Sequence, residues 1–374
     1  MSAPRLLALV GASVLALAAP AGAVEVHKIA GGLDNPRHLA FGERDLYVAE
    51  AGRGGDGPCF PGEEGAPACL GATGAVTVVD PDGGQHRLVS GLASLADKGT
   101  GANAIGPHGI DVTGSGRIFL TNGGPTGANR DALAAQNPVA DLLGRVLRIG
   151  REGDIERLVD VWGFERDNNP DKTLGNPAID SNVVDVLAQH GRLIIADAGG
   201  NTLLEAGRDG GIDVLSVFGN RQVKGPSGNE VPMQAVPTGV VQGPDGDYFM
   251  SQLTGFPFPV GGANVFRVDP HSGEYSVFAS GFTNIMDLAF DHDGTLWVLE
   301  IDHDSLLGGA TDGAIYSVDR DGDKTLLDLP PGTLTAPGGI TVGNDGVLYV
   351  TNKTMSAGGG EVLRIDVHGA HHGS

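Results

Sequence analysis

One sequence pattern recurs six times along this 374-residue chain, and it constrains the fold more than any other feature. In each copy an apolar segment is followed by a tight turn, often Asp-Gly, and then by a second apolar segment. Pairs of short strands, most of them followed by a further hairpin, are typical of the four-stranded blades of a β-propeller. We therefore predict an all-β fold, a six-bladed β-propeller, with the paired segments at 36–41 and 46–50, 107–112 and 118–122, 183–188 and 193–197, 237–241 and 248–252, 285–290 and 296–300, and 337–342 and 348–352.

The last copy predicts how the ring closes. Residues 361–366 supply a third strand to this blade, and the chain then nearly ends without a fourth. The segment Glu25–Ala30 has a strand pattern and stands near the start of the chain. Pairing these two segments removes two exposed sheet edges. We therefore expect the N-terminal strand to pair with the last blade and residues 24–369 to form one domain.

The first 23 residues have the features of a signal peptide. Arg5 precedes an apolar stretch, and the small residues Ala21, Gly22 and Ala23 provide a cleavage site. The stretch is too short for a comfortable membrane span, although an uncleaved anchor is the alternative. The predicted organisation is a signal peptide at 1–23, the propeller at 24–369 and a flexible tail at 370–374. The expected location is secreted or periplasmic, without stable membrane insertion.

The net charge of −22 limits the classes of partner. A strongly acidic surface repels nucleic acids and anionic lipid headgroups, which argues against both as partners. It favours cationic ligands and divalent metals, or it serves solubility alone.

The two cysteines, Cys59 and Cys69, stand in one loop rich in Gly and Pro. In an exported chain they meet oxidising conditions, so we predict a local disulfide, with free thiols as the alternative.

The long loops are expected on one face of the propeller. Turns between the first and second strand of each blade are short, whereas the segments that leave the second strands or link the blades are long. Long loops on a rigid scaffold tend to carry function, so this face is the expected binding face. Residues 129–136 within it predict a short helix. The long segments are 52–73, 123–143, 163–182, 219–236, 254–262 and 302–313.

Two rings of polar side chains are expected at the channel mouth of this face. The candidate binding residues are Glu50, Asn122, Asp197, Gln252, Glu300 and Asn352 at the ends of the second strands, and His38, His108, Asp185 and Asp287 near the starts of the inner strands. Converging oxygen donors suit a divalent cation, with Ca²⁺ favoured, and the candidate metal ligands are Glu50, Asp197, Asp287 and Glu300. Two other interpretations stay open: acid or base catalysis by clustered carboxylates, and structural capping of backbone amides.

Seven segments of the chain have a recognisable pattern, at 33–37, 49–59, 106–108, 196–201, 232–238, 253–265 and 282–290. The most specific of them contain the Cys loop and the stretch Phe256–Pro259. Together they resemble the ScyD/ScyE family of exported propellers, which are of the NHL and gluconolactonase-like kind. The resemblance implies an exported propeller and carries no settled reaction or catalytic residues.

These observations support three hypotheses about function. The first is a monomeric propeller that binds a small molecule, or an envelope or secreted protein, at its loop-rich face. The second is a metal-dependent hydrolase, lactonase or lyase that uses the polar ring at the channel mouth. The third is a structural module of the cell envelope. No recognisable nucleophile or cofactor motif accompanies the loops.

Overall fold

The computed structural model describes residues 24–61, 67–124, 129–189, 191–207, 209–309 and 311–367. The predicted signal peptide at 1–23 and the predicted tail at 370–374 lie outside the described residues. Among the described helices, none is both long and apolar enough to cross a membrane.

The strands form six blades around a central channel, which confirms the predicted propeller. Within each blade the strands are antiparallel, and a separate hairpin precedes the fourth blade. The first strand of the chain, β1 (Glu25–Leu33), belongs to blade 6. Blades 1 to 3 then follow in chain order: blade 1 has β2 (Pro36–Phe41), β3 (Leu46–Glu50), β4 (Cys59–Pro61), β5 (Pro67–Val79) and β6 (Gln85–Asp97); blade 2 has β7 (Pro107–Val112), β8 (Ile118–Asn122), β9 (Arg145–Ile149) and β10 (Ile155–Asp160); and blade 3 has β11 (Val183–Gln189), β12 (Arg192–Asp197), β13 (Thr202–Gly207) and β14 (Ile212–Val217). After the hairpin of β15 (Arg221–Lys224) and β16 (Glu230–Met233), blade 4 has β17 (Pro237–Gln242), β18 (Tyr248–Gln252), β19 (Ala263–Val268) and β20 (Tyr275–Phe282); blade 5 has β21 (Ile285–Phe290), β22 (Leu296–Glu300), β23 (Ala314–Val318) and β24 (Lys324–Leu326); and blade 6 has β25 (Gly339–Val342), β26 (Leu348–Asn352) and β27 (Gly360–Asp366).

The ring closes through β1, as the sequence predicts. This strand runs antiparallel to β27, from Glu25 opposite Asp366 to Leu33 opposite Gly360, and it extends three residues beyond the predicted end at Ala30. Leu33 is 2% exposed and packs in one cluster with Leu39 of blade 1. The strand therefore joins the first blade to the last through both hydrogen bonds and apolar contacts.

Large side chains of the second strands fill the spaces between blades. Tyr248 of blade 4 is fully buried in a cluster with Ile194 of blade 3. Trp297 of blade 5 is 1% exposed and packs with Val350 of blade 6. Each blade thus buries its faces against its neighbours.

The connections differ in length between the two ends of the strands. Each turn from an inner strand to the second strand is short, and we call this end the short-turn face. The opposite end, the loop-rich face, carries the longer connections and both α-helices of the described residues, α1 (Asn129–Gln136) and α2 (Val161–Asn168). Two 3₁₀ helices lie in the same connections, at Pro138–Leu142 and Lys172–Leu174. The predicted helix at 129–136 is therefore confirmed.

The predicted disulfide between Cys59 and Cys69 is present and joins β4 to β5. Cys69 has no exposed surface, so this bridge anchors the Cys loop to the third strand of blade 1.

Candidate functional site

A shift in strand register aims the first inner-strand residues at the channel. In blades 1 to 5 the inner strand carries one extra residue, relative to the second strand, just after its start. Such a β-bulge turns a side chain away from the regular alternation. His38, Asp185 and Asp287 lie at or directly beside these bulges. The bulges therefore explain why three separate blades present ionisable groups to the axis.

These three side chains form a buried cluster on the propeller axis, which we call the axial cluster. One ligand atom from each of His38, Asp185 and Asp287 lies within 4.8 Å of the other two. His38 Nδ1 lies 3.1 Å from Asp185 Oδ1, and the ring of His108 packs edge-on at 5.0 Å between centroids. His38 is 3% exposed, and its Nε2 has no hydrogen-bond partner among the described residues.

Each carboxylate of the axial cluster also holds the neighbouring blade. Asp185 Oδ2 accepts a hydrogen bond of 2.8 Å from the backbone N–H of Val240, in the next blade. Asp287 Oδ2 accepts an equivalent bond of 2.8 Å from Ile340. These bonds hold both carboxylates in place, so the cluster has little freedom to rearrange.

The charges in the cluster depend on one another. Burial opposes the charged form of His38, but the carboxylates of Asp287 and Asp185 outweigh it and raise the pKa of the imidazole to about 9. Burial raises the pKa of Asp287, an effect that the neighbouring His38 partly offsets. Burial also lowers the pKa of His108 well below its usual value, and the charges of His38 and Arg37 act in the same direction. At neutral pH the cluster therefore holds a protonated His38 beside a neutral His108.

A cavity of about 260 Å³ adjoins the axial cluster. His38, Asp185 and Asp287 line one part of it, and the inner strands line the rest as far as Gln242 and Phe290. Since those two residues lie at the far ends of their strands, the cavity extends from the cluster toward the short-turn face. The sequence analysis expected the candidate residues at the channel mouth of the loop-rich face. The structure places His38, Asp185 and Asp287 inside the channel instead, because the bulges turn these side chains toward the axis.

The residues at the ends of the second strands are buried and occupied by local hydrogen bonds. Four of them accept a bond from a backbone N–H in the turn that leads to the inner strand of the same blade, with distances of 2.6 to 2.7 Å. Gln252 Oε1 accepts instead from the N–H of Asn264, and no partner is described for the buried side chain of Asn122. The four pairs are Glu50 with Asp34, Asp197 with Asn182, Glu300 with Thr283 and Asn352 with Thr335.

The four acidic residues expected to bind a metal do not converge. Glu50, Asp197 and Glu300 stand in blades 1, 3 and 5, and each is engaged with its own blade. Within the described ranges, only the axial cluster brings three His, Cys, Asp or Glu ligand atoms within 4.8 Å of one another. Of the four expected ligands, that group contains Asp287 alone.

Glu300 provides a pH-dependent test of its structural role. Burial raises the pKa of this carboxyl to about 7, although the N–H of Thr283 opposes the change. A raised pKa in the folded state stabilises the fold below the ordinary value of 4.5, and this stability is lost as the pH rises through about 7. Relative to Glu300→Gln, the wild type should lose about 3 kcal/mol of unfolding free energy between pH 4.5 and pH 8. Urea unfolding of both proteins across that range measures the difference, and parallel pH profiles would contradict it.

Sequence reasoning missed two acids, the half-buried Asp111 and the buried Glu165. Asp111 of β7 accepts a 2.7 Å bond from the N–H of Ala188, and burial raises its pKa to about 6. Glu165 of α2 is 2% exposed and lies in the long segment 163–182. The length of that segment was the only signal for Glu165, because the chain gives no motif around it.

The fold matches solved propellers at low sequence identity. A gluconolactonase from Xanthomonas campestris is 15% identical with a TM-score of 0.56, and the match covers 95% of this chain and 93% of that one. A putative gluconolactonase is 14% identical with a TM-score of 0.52, covering 93% of each chain. A luciferin-regenerating enzyme is 12% identical with a TM-score of 0.51, covering 92% of this chain and 95% of that one.

Sequence comparison adds no family to this result. No family model matches the chain, and no curated protein sequence matches it. At these identities the structural likeness shows the fold alone. The chain is therefore a six-bladed propeller with gluconolactonase-like structural neighbours, and its resemblance to the ScyD/ScyE family stays a prediction.

Proposed function

We propose that the axial cluster is the active site of a metal-assisted hydrolase that acts on a small polar substrate. The observation that carries this proposal is the convergence of His38, Asp185 and Asp287 from three blades beside a cavity of about 260 Å³. A cavity of that size favours a small molecule over a polymer. Lactones are the first class to test, because two propellers of the same fold are described as a gluconolactonase and a putative one.

The donor set fits a divalent cation. His38 offers a buried imidazole nitrogen, and Asp185 and Asp287 offer carboxylate oxygens within 4.8 Å of it. An imidazole nitrogen beside two carboxylates suits Zn²⁺ or Mn²⁺ better than Ca²⁺, which prefers oxygen ligands. We therefore propose a transition metal here in place of the Ca²⁺ favoured from the sequence. Because metal binding displaces the imidazolium proton, its affinity should rise with pH.

The surrounding residues define what the site does. A bound cation supplies Lewis-acid polarisation of a substrate carbonyl. An ion held by His38 and Asp185 would replace the 3.1 Å contact between Nδ1 and Oδ1, which now orients the ring. The neutral His108 packs on the ring of His38 and limits its movement.

Substitution of the cluster should abolish metal-dependent turnover. We expect His38→Gln and Asp287→Asn to lower the hydrolysis of small lactones by at least about a hundredfold, because each replaces a proposed metal ligand with a weaker, neutral amide. The measurement is proton release from a panel of lactones and esters by EDTA-treated protein supplied with Zn²⁺, Mn²⁺ or Ca²⁺.

Two exposed residues provide matched controls. His86→Gln, on the outer strand of blade 1, and Asp82→Asn, in the turn before that strand, change the same residue types and should retain full activity. If both cluster variants hydrolysed the panel as fast as the wild type does, the active site would lie elsewhere. A wild type that neither binds a metal nor turns over the panel would refute the hydrolase.

Ligand binding at the loop-rich face is the second candidate function. Two loops of this face expose large apolar side chains, with Phe256 54%, Val260 67% and Leu307 52% exposed. Ser305 Oγ donates a 2.6 Å bond to the carbonyl of Phe258, so the two loops contact each other. This surface favours a small molecule or a secreted protein as the ligand. Ligand binding at this face becomes the leading candidate if the axial substitutions leave metal-dependent hydrolysis unchanged.

Export remains part of the proposal. The disulfide between Cys59 and Cys69 favours an oxidising compartment. Together with the predicted signal peptide, it supports a secreted or periplasmic protein.

A further inference from the structure

Asp111 is an ionisable residue of the axial cavity that the proposed mechanism does not use. The axial cavity is the space of about 260 Å³ beside the axial cluster, and the ionisable residues of its described lining are those of the cluster and Asp111. The rest of that lining is apolar, apart from Gln242 and Thr341. Because the three cluster side chains are the proposed metal ligands, Asp111 is the remaining group of the lining that can exchange a proton near neutral pH.

Strand β7 places Asp111 one layer away from the axial cluster. Gly109, two residues earlier on the same face of β7, lies level with Asp185, since a methyl group on this glycine would lie 2.5 Å from the Cα atom of Asp185. A strand advances about 3.3 Å per residue, so Asp111 lies about 7 Å further along the strand, toward the short-turn face. A substrate carbonyl at the cluster and a water molecule beyond it fit within that distance.

The position equivalent to Asp111 carries an uncharged residue in each of the other five blades. In every blade this residue pairs with the one three places before the end of the second strand, which is Phe119 in blade 2. The packing of this layer therefore does not require a carboxylate, and Asp111 calls for a separate explanation. The five equivalents, all of which line the axial cavity, are Ala40, Leu187, Val241, Ala289 and Thr341.

The carboxylate of Asp111 is held in place by backbone donors. Its Oδ2 accepts a 2.7 Å bond from the N–H of Ala188 in blade 3, and the N–H of Val112 also donates to it. Burial raises the pKa of this carboxyl to about 6, the N–H of Ala188 opposes the change, and the charge of Asp185 adds to it. The ionisable groups that share the cavity with it are those of the axial cluster, on β2, β11 and β21. At neutral pH Asp111 is therefore a fixed carboxylate that can accept a proton.

We propose that Asp111 is the proton acceptor of the hydrolysis, an inference that rests on the proposed function of the axial cluster. As the oxygen of a water molecule bonds to the carbonyl carbon of a lactone, one proton of that water passes to Asp111. The bond between this carbon and the ring oxygen then breaks, and the proton passes from Asp111 to the ring oxygen. One lactone and one water give one hydroxy acid, and Asp111 is again a carboxylate.

The test compares Asp111→Asn with the wild type, both as full mature chains treated with EDTA and supplied with Zn²⁺ or Mn²⁺. We expect kcat/KM for the lactone panel to fall by at least about a hundredfold, while the dissociation constant of the metal changes by less than about threefold. The asparagine keeps an oxygen for the N–H of Ala188, so the fold should be retained. The kcat/KM of the wild type should decline below about pH 6, and the residual kcat/KM of the variant should lack this decline.

A second variant and a matched control separate proton transfer from a purely structural role. Asp111→Ala should also lose turnover, and added formate should restore it by about tenfold or more, because formate supplies a small carboxylate in the vacated space. Asp213→Asn makes the same chemical change at an exposed position on β14 and should behave as the wild type does.

The outcomes distinguish this inference from the proposed function. Wild-type turnover that Asp111→Asn retains in full would overturn the role of Asp111 and leave the hydrolase standing. Loss of metal affinity together with turnover in Asp111→Asn, with no rescue of Asp111→Ala by formate, would also overturn it, since Asp111 would then support the metal site. A wild type without turnover would refute the hydrolase itself, and the proton acceptor with it.

Discussion

Removing residues 25–30 is expected to lower the Tm of the protein by more than about 10 °C, corresponding to a loss of about 5 kcal/mol or more. The deletion takes away most of β1, exposes the edge of β27 and opens the ring between its first and last blades. It also removes Ala30, which is 5% exposed, from the apolar cluster that contains Leu39. Circular dichroism melts of the full and truncated mature chains, with the disulfide intact, measure this loss.

Two point variants show whether the packing of β1 matters beyond its hydrogen bonds. Leu33→Ala should cost about 2–5 kcal/mol, because Leu33 is 2% exposed. Lys28→Ala on the same strand changes an exposed side chain and should leave the melt unchanged. A truncated chain that melts like the full one would mean that β1 does not close the ring in solution.

Glu50→Ala is expected to cost about 3 kcal/mol of unfolding free energy without affecting metal binding at the axis. Glu50 has no exposed surface, and it accepts bonds from the N–H of Asp34, the hydroxyl of Thr77 and the guanidinium of Arg87. Removing it leaves two donors unsatisfied and weakens the ion pairs of Arg87, whose own exposure limits the cost. Urea unfolding gives the stability, and titration with Zn²⁺ or Mn²⁺ gives the metal affinity.

Glu43→Ala serves as the matched control, since Glu43 is exposed on the same blade. If Glu50→Ala kept full stability but lost the metal, Glu50 would be a ligand, as the sequence suggested, and the capping role would be wrong.

The sequence predicts the blades well because their signals are local. Alternating apolar residues and an Asp-Gly turn define β21 and β22 within sixteen residues, and the predicted bounds agree with the structure. The closure follows from counting strands, since a blade with three strands requires a fourth. Both inferences depend on short-range patterns and on the cost of exposed sheet edges.

The site is harder to predict because long-range contacts arrange it. An extra residue in an inner strand leaves no mark on the alternating pattern, yet it decides whether Asp185 faces the axis. The role of Glu50 depends on Arg87, which lies 37 residues further along the chain. Both rings of polar residues were therefore visible in the sequence, but their separation into axial residues and blade caps was not.

The most direct test of the axial site is a crystal of the wild-type protein grown with Mn²⁺ or Zn²⁺ and measured at the absorption edge of the metal. The account predicts an anomalous peak about 2.0–2.3 Å from an imidazole nitrogen of His38 and from oxygens of Asp185 and Asp287. The same crystal of His38→Gln should lack that peak. A peak at any other position, or none on the axis at millimolar metal, would contradict the proposal that these three residues form a metal-assisted active site.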